Sequence, residues 1–187
     1  MKKVFLAIVA SSLCVAANAA NYTIDPNHTQ ATFSFQHLGL STFDGKIPAQ
    51  SGTVTLDPAQ KSGSIEVVFD LKGIATGVPD FDEHLRSKDF FEVEKHPTAV
   101  FKSSKVTFEG EAPASVAGNL TIKGITKPVT LTVTSFKCVD QHPMEKVPAC
   151  GANAAASIKR SDFGLTYALP AVLDEIKLEL EIEAMQK

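Results

Sequence analysis

The chain has 187 residues, 18 basic and 21 acidic, and a formal net charge of −3. That balance argues against a general binder of nucleic acid or anionic membranes. With 12 Phe, no Trp and many short runs of Val, Ile, Leu and Thr, the composition suits one all-β domain with a sizeable core.

Lys2 and Lys3 precede an apolar run from Val4 to Val15, followed by Ala16-Ala17-Asn18-Ala19-Ala20. A basic start, a short apolar core and an A-x-A ending predict a secretory leader over residues 1–19, cleaved to leave one domain over 20–187. The run is shorter than the ~20 residues a membrane-spanning helix needs. Leu13 before Cys14 argues against lipidation. The expected compartment is the periplasm, with secretion as the alternative, and no stable membrane anchor is expected.

After Tyr22-Thr23-Ile24 and a turn at Asp25-Pro26-Asn27, Phe33, Phe35 and His37 alternate with Thr32, Ser34 and Gln36, as in a half-buried strand. Gly39 and Ser41 to Lys46 read as a turn leading to a strand near Gly52 to Leu56. Asp57 to Gly63 reads as a polar connection, and Ser64 to Leu71 as the next strand. Pro79 and Asp80 open the one short helix, with Asp80 as N-cap and Glu83 completing a capping box. Strands follow from Thr98 to Ser104 and from Val106 to Glu109. Around Lys123-Gly124-Ile125-Thr126-Lys127-Pro128, Leu120 and Ile122 share one face, as do Val129, Leu131 and Val133. The pattern predicts a hairpin with Pro128 at a strand start. Ala152 to Lys159 alternates weakly, and Arg160 to Leu165 reads as a turn or short helix. In the last strand Ile176, Leu178, Leu180, Ile182 and Ala184 oppose Glu175, Lys177, Glu179, Glu181 and Glu183.

About eight strands without βαβ alternation predict a closed antiparallel barrel, which leaves no open edge. Periodicity alone does not separate that barrel from a β-sandwich. Cys138 and Cys150 remain after leader removal and most simply form a structural disulfide. A metal site using His142 or a redox pair is the rival, but neither has the close cysteine spacing those chemistries favour.

Catalytic signals are lacking. No G-x-S-x-G occurs, and Gly39 to Lys46 departs from a phosphate loop in spacing and in having Ile47 after the lysine. The histidines (His28, His37, His84, His96, His142) form no close pair suited to metal. Helix capping accounts for Asp80 and Glu83, and solvation for Asp82. No catalytic residue, metal or cofactor is assigned.

The stretch Gly118-Asn119-Leu120-Thr121-Ile122-Lys123-Gly124-Ile125-Thr126-Lys127-Pro128-Val129 resembles the hairpin of the YceI-like family of polyisoprenoid-binding proteins. Tyr22-x-Ile24-Asp25-Pro26-x-His28 with Phe33-x-Phe35-x-His37-Leu38-Gly39 resembles its N-terminal motif. Phe81-x-x-His84-Leu85-Arg86-Ser87-x-Asp89-Phe90-Phe91 and His96-Pro97-Thr98-Ala99-x-Phe101 resemble the central one, and Ile158-x-Arg160-Ser161-Asp162-Phe163-Gly164 the C-terminal one.

The resemblance implies an extended, eight-stranded antiparallel lipocalin-like barrel with one short helix. It implies a carrier that holds an isoprenoid lipid, a polyprenyl compound or a quinone, in an apolar tunnel. Candidate lining residues are Phe33, Phe35, Phe69, Phe81, Leu85, Phe90, Phe101, Leu120, Ile122, Leu131 and Phe163. Candidates for the head group at the mouth are His28, His37, His84 and Arg86, with Arg86 suited to a pyrophosphate. The partner is an isoprenoid or another long-chain amphiphilic lipid, with no nucleic acid, and the chain is a monomer or homodimer. A lipid-free stress-response or protein-interaction barrel is the alternative, and an enzyme acting on the same lipids a weaker one. Pro48 stands where the family pattern leads one to expect an ordinary strand residue.

Overall fold

The computed structural model describes residues 19–186, so all but the last residue of the expected leader lies outside the described residues. Nine strand segments are present: β1 (Ala20–Ile24), β2 (Gln30–His37), β3 (Ser41–Asp57), β4 (Ser62–Asp70), β5 (Thr98–Glu109), β6 (Ala112–Ile122), β7 (Ile125–Val139), β8 (Ala149–Lys159) and β9 (Glu175–Gln186). One helix, α1 (Pro79–Arg86), lies between β4 and β5.

The segments fill eight positions of a closed antiparallel barrel. From β2 the ring runs through β9, β8, β7, β6, β5 and β4, and β4 pairs with β3 to close it. The first two segments share one position. β2 pairs with the first half of β3, while β1 pairs with Thr53 to Leu56 of β3 and with Ala184 to Gln186 of β9. Between them the strand breaks at Asp25–Thr29, and Thr29 seals the gap. Its buried hydroxyl donates to the Glu183 carbonyl at 3.2 Å and accepts from the Glu183 N–H at 3.1 Å.

Four local expectations are corrected. Ser41 to Lys46 is not a turn: it pairs in register with Thr32 to His37, and the chain reverses over Leu38 to Leu40. Pro128 lies inside β7 and not at its start, and Pro48 lies inside β3, where a strand was expected. Each sits where its strand is about to gain its second neighbour: β3 meets β4 from Ala49, and β7 meets β8 only from Thr132. A missing N–H is tolerated beside such a half-open flank. In α1 the N-cap is Val78, without a side-chain bond, and Pro79 opens the first turn. The capping box of Asp80 and Glu83 is absent. Asp82 is not merely solvated either: it accepts from the N–H and the hydroxyl of Thr76, both at 2.6 Å.

The hairpin between β6 and β7 forms as predicted. Lys123 and Gly124 both take positive φ, 51° and 74°, the left-handed pair that matches strand twist in a two-residue turn. Cys138 and Cys150 face each other across β7 and β8 and are bonded, with Cα atoms 4.0 Å apart.

Candidate functional site

Alternation puts the apolar side chains inside, but they do not fill the barrel evenly. In the half holding β1, Ile24, Val54, Leu56, Val67, Val116 and Ala184 pack into a solid core. The other half encloses a cavity of ≈ 450 Å³, within the range of about 300–1,000 Å³ usual for small-molecule sites. The exposed residues of its lining, His37, Tyr167 and Ala168, place its mouth where β2 turns into β3, beside α1 and the segment from Leu165 to Leu173.

Two glycines keep the lumen clear. Gly45 lies opposite Phe33 in the β2–β3 ladder, and a Cβ there would come 2.2 Å from the end of the Phe33 ring. A Cβ on Gly118 would come 2.5 Å from the same atom of Phe101. Both rings therefore lie over bare backbone, against the wall.

Ten of the predicted lining residues border the cavity: Phe33, Phe35, Phe69, Phe81, Leu85, Phe90, Phe101, Leu120, Ile122 and Leu131. Phe163 does not. It is 1% exposed, carried by a short 3-10 turn (Arg160–Phe163), and packs in the closed core.

Of the predicted mouth residues, His37 and His84 border the cavity, whereas His28 and Arg86 do not. His28 lies on the outer wall at the β1–β2 break, its Nδ1 2.6 Å from Asp25 Oδ2. That hydrogen bond is the main reason Asp25 titrates below its usual range and His28 above its own. Arg86 donates from Nη1 to the Ile74 carbonyl at 3.1 Å, which ties the C-terminal end of α1 to the chain after β4.

The mouth is aromatic. His84 meets Tyr167 and Phe90 edge-on, with ring centroids 4.8 and 5.1 Å away, and its Nε2 lies 3.5 Å from Asp89 Oδ2. Phe43 joins His37 and Phe81 in a second cluster, each 6.0 Å from it.

Fifteen bordering residues lie outside the candidate set, and two of them, Tyr167 and Arg160, are polar. Tyr167 lies in an irregular stretch that no periodicity describes. Arg160 was read only as part of a turn. The residue is 5% exposed, and its guanidinium donates to the carbonyls of Leu165, Tyr167, Val172 and Leu173 at 2.8–3.1 Å. Burial lowers its pKa and the Asp174 carboxylate opposes that shift; the group is an arginine and stays cationic. Asp174 itself is held below its usual pKa, first by the hydrogen bond from the Ser161 hydroxyl. An arginine shortly before an uncharged run, Phe163 to Leu173, was the available signal that backbone carbonyls would gather round it.

Residues 22–184 match the YceI-like domain family. The chain belongs to the YceI-like family. Protein YceI of Salmonella arizonae is 35% identical over 193 residues, with all of both chains covered. The crystal structure of Campylobacter jejuni YceI is 26% identical and superposes with a TM-score of 0.66 over 81% of this chain and 89% of that one. A polyisoprenoid binding domain from Saccharophagus degradans shares the fold at 13% identity, with a TM-score of 0.61 over 91% of this chain and all of the other. This YceI-like barrel thus has the predicted architecture. Among its described residues no helix is long and apolar enough to cross a membrane, and no three His, Cys, Asp or Glu side chains gather as a metal-ligand set.

Proposed function

We propose that this YceI-like protein is an exported, non-enzymatic carrier that holds the tail of a long-chain isoprenoid lipid in its cavity. The observation that carries the reading is the hollow half of the barrel, an apolar chamber of ≈ 450 Å³ walled by Phe and aliphatic side chains. An isoprenoid tail is apolar along its length, and its burial supplies about 25 cal/mol per Å² without any charged partner. The polyisoprenoid binding domain that shares the fold adds support.

The head-group candidates change with the geometry. Arg86 is engaged away from the cavity, and Arg160 spends its N–H groups on backbone carbonyls. The polar groups left at the mouth are His37, His84 and the Tyr167 hydroxyl. This set favours a neutral head that accepts or donates hydrogen bonds, such as a quinone, over a pyrophosphate.

Native mass spectrometry of gently purified protein tests the reading. A bound isoprenoid supports it; a barrel that is empty and takes up none across a range of tail lengths defeats it. With the head group constant, affinity should climb with each isoprene unit and level off when the chamber is full. Export is tested by the N-terminus of protein from the periplasmic fraction, expected at Ala20. An acylated Cys14 there would contradict it.

A further inference from the structure

Among the described residues, the exposed large apolar side chains gather at one end of the barrel. Leu38 and Leu40 are 52% and 83% exposed on the β2–β3 reversal, and Tyr167 and Leu173 are 48% and 49% exposed on the segment before β9. His37 pairs with Val172 in an isolated antiparallel bridge, so the two segments lie edge to edge. Val78 and Ile125 flank the same end, while Met144 stands alone in the β7–β8 loop at the opposite one.

Two further observations set this patch apart from scattered surface leucines. Leu38 has φ +53°, a left-handed backbone in which a branched aliphatic residue is costly and Gly or Asn is favoured. No Asp, Glu, Lys or Arg occurs from Thr29 to Phe43 or from Phe163 to Leu173. The cavity is also continuous with the patch, because Tyr167, Ala168 and Val172 line the cavity on the segment that carries Leu173.

We infer that this rim is a membrane-docking surface: the barrel rests mouth-down on a zwitterionic lipid bilayer, with Leu38, Leu40, Tyr167 and Leu173 entering the headgroup–acyl boundary. The inference rests on the reading of the cavity as a lipid site and adds where the cargo is exchanged. A long apolar tail passing through water would expose its whole area, whereas a mouth pressed on the bilayer lets it pass from hydrocarbon to hydrocarbon. Tyr suits that depth, having an apolar ring and a polar tip. Neither segment carries charge, and α1 beside them carries both signs (Asp80, Asp82, Glu83, Arg86). The rim thus has no basic patch for an anionic surface, and docking should depend little on salt. A second copy of the chain fits less well. Specific protein interfaces take roughly 20–30 residues a side, and this patch is two loop tips.

The experiment is co-sedimentation of protein from the exported fraction with phosphatidylcholine vesicles, at low and high salt. Wild type should bind equally at both. Leu40→Asp combined with Leu173→Asp should weaken binding at least about tenfold, since two buried leucines are replaced by charges. Met144→Asp, at the far end, should leave it unchanged. A water-soluble, short-tailed isoprenoid, added without vesicles, reports on the cavity alone and should bind wild type and the double variant alike. Wild type that ignores the vesicles, or a double variant that sediments like wild type, overturns the docking inference. Loss of a homodimer in the double variant without loss of vesicle binding does so too. Failure of the short-tailed ligand to bind wild type overturns the cavity reading instead.

Discussion

The two halves of the barrel are built from the same alternating strands, yet one is solid and the other hollow. Glycine has opposite effects in them. Near the solid end, a Cβ on Gly52 would lie 2.7 Å from the Ile24 side chain, so its absence admits Ile24 from β1 into the core. In the hollow half, Gly45 and Gly118 let Phe33 and Phe101 lie flat along the wall. A bare backbone position thus fills the lumen when an extra strand segment points at it, and clears the lumen when a neighbouring ring leans on it. Stability and binding should therefore separate along the barrel axis.

Truncation breaks the comparison most directly. Leu56, in the solid half, is 8% exposed, and Leu131, beside the cavity, is 4% exposed. Equal burial would suggest equal cost, but Leu131 borders the cavity and Leu56 does not. Leu56→Ala should cost about 2–5 kcal/mol with ligand affinity unchanged. Leu131→Ala should cost less than half as much and weaken long-tail binding. Chemical denaturation of both, with a ligand titration of each, decides it. Equal destabilisation would show that the hollow half is packed as tightly as the solid one.

The disulfide tests the solid end from another side. Cys138 and Cys150 close a loop with a sequence separation of 12. The chain-entropy model gives about 3 kcal/mol for a loop of that size. Cys150→Ser should lower the Tm accordingly and leave tail binding intact, because neither cysteine borders the cavity. Two free thiols in exported protein trapped with a thiol-blocking reagent would remove the disulfide from the native molecule.

Gly45→Leu sharpens the comparison on the binding side. The new side chain must displace the Phe33 ring into the lumen, at about 1–3 kcal/mol of overpacking. Long-tail affinity should fall at least about tenfold, while a short tail is less affected. Adding Phe33→Ala to Gly45→Leu should restore room and part of the affinity. If the double variant binds no better than the single one, ring displacement is not the cause.

Much of this was legible in the sequence, because period-two alternation records which face is dry. Leu120, Ile122 and Leu131 declare themselves that way, as does the whole of β9. The β2–β3 reversal was misread because Ser41 to Lys46 is polar, and only the register with β2 reveals it as strand. Phe163 shows the limit of composition: a Phe in a motif rich in aromatics is counted as lining until the turn that carries it is seen to point elsewhere. His28 and Arg86 failed for a related reason. A side chain near a strand or helix end faces the mouth only if that end does, and the break after β1 puts His28 halfway down the outer wall. Arg160 and Tyr167 depend on an irregular segment folding back, which no local period encodes.

The smallest effect concerns that break. Asp25 and His28 each shift to favour the other's charge, chiefly through the hydrogen bond they share. His28 has a raised folded pKa, so its contribution is fully present below the ordinary imidazole value and is lost as pH rises through the folded one. Asp25 has a lowered folded pKa, so its contribution is present above the ordinary carboxylate value and is lost as pH falls through the folded one. The pair therefore helps most between about pH 4 and pH 6.5, the ordinary values of the two groups. His28 is exposed, so solvent screens the pair and the effect is that of a weak surface ion pair. Its interest is positional. The pair holds the interruption between β1 and β2, and so the seam between the solid half and the hollow one. His28→Gln should flatten the upper part of the stability–pH profile while leaving ligand affinity at every pH as it was. A change in affinity would mean that the break at Asp25–Thr29 communicates with the cavity through Phe33 and its neighbours. The two halves would then be coupled, contrary to the separation that their packing implies.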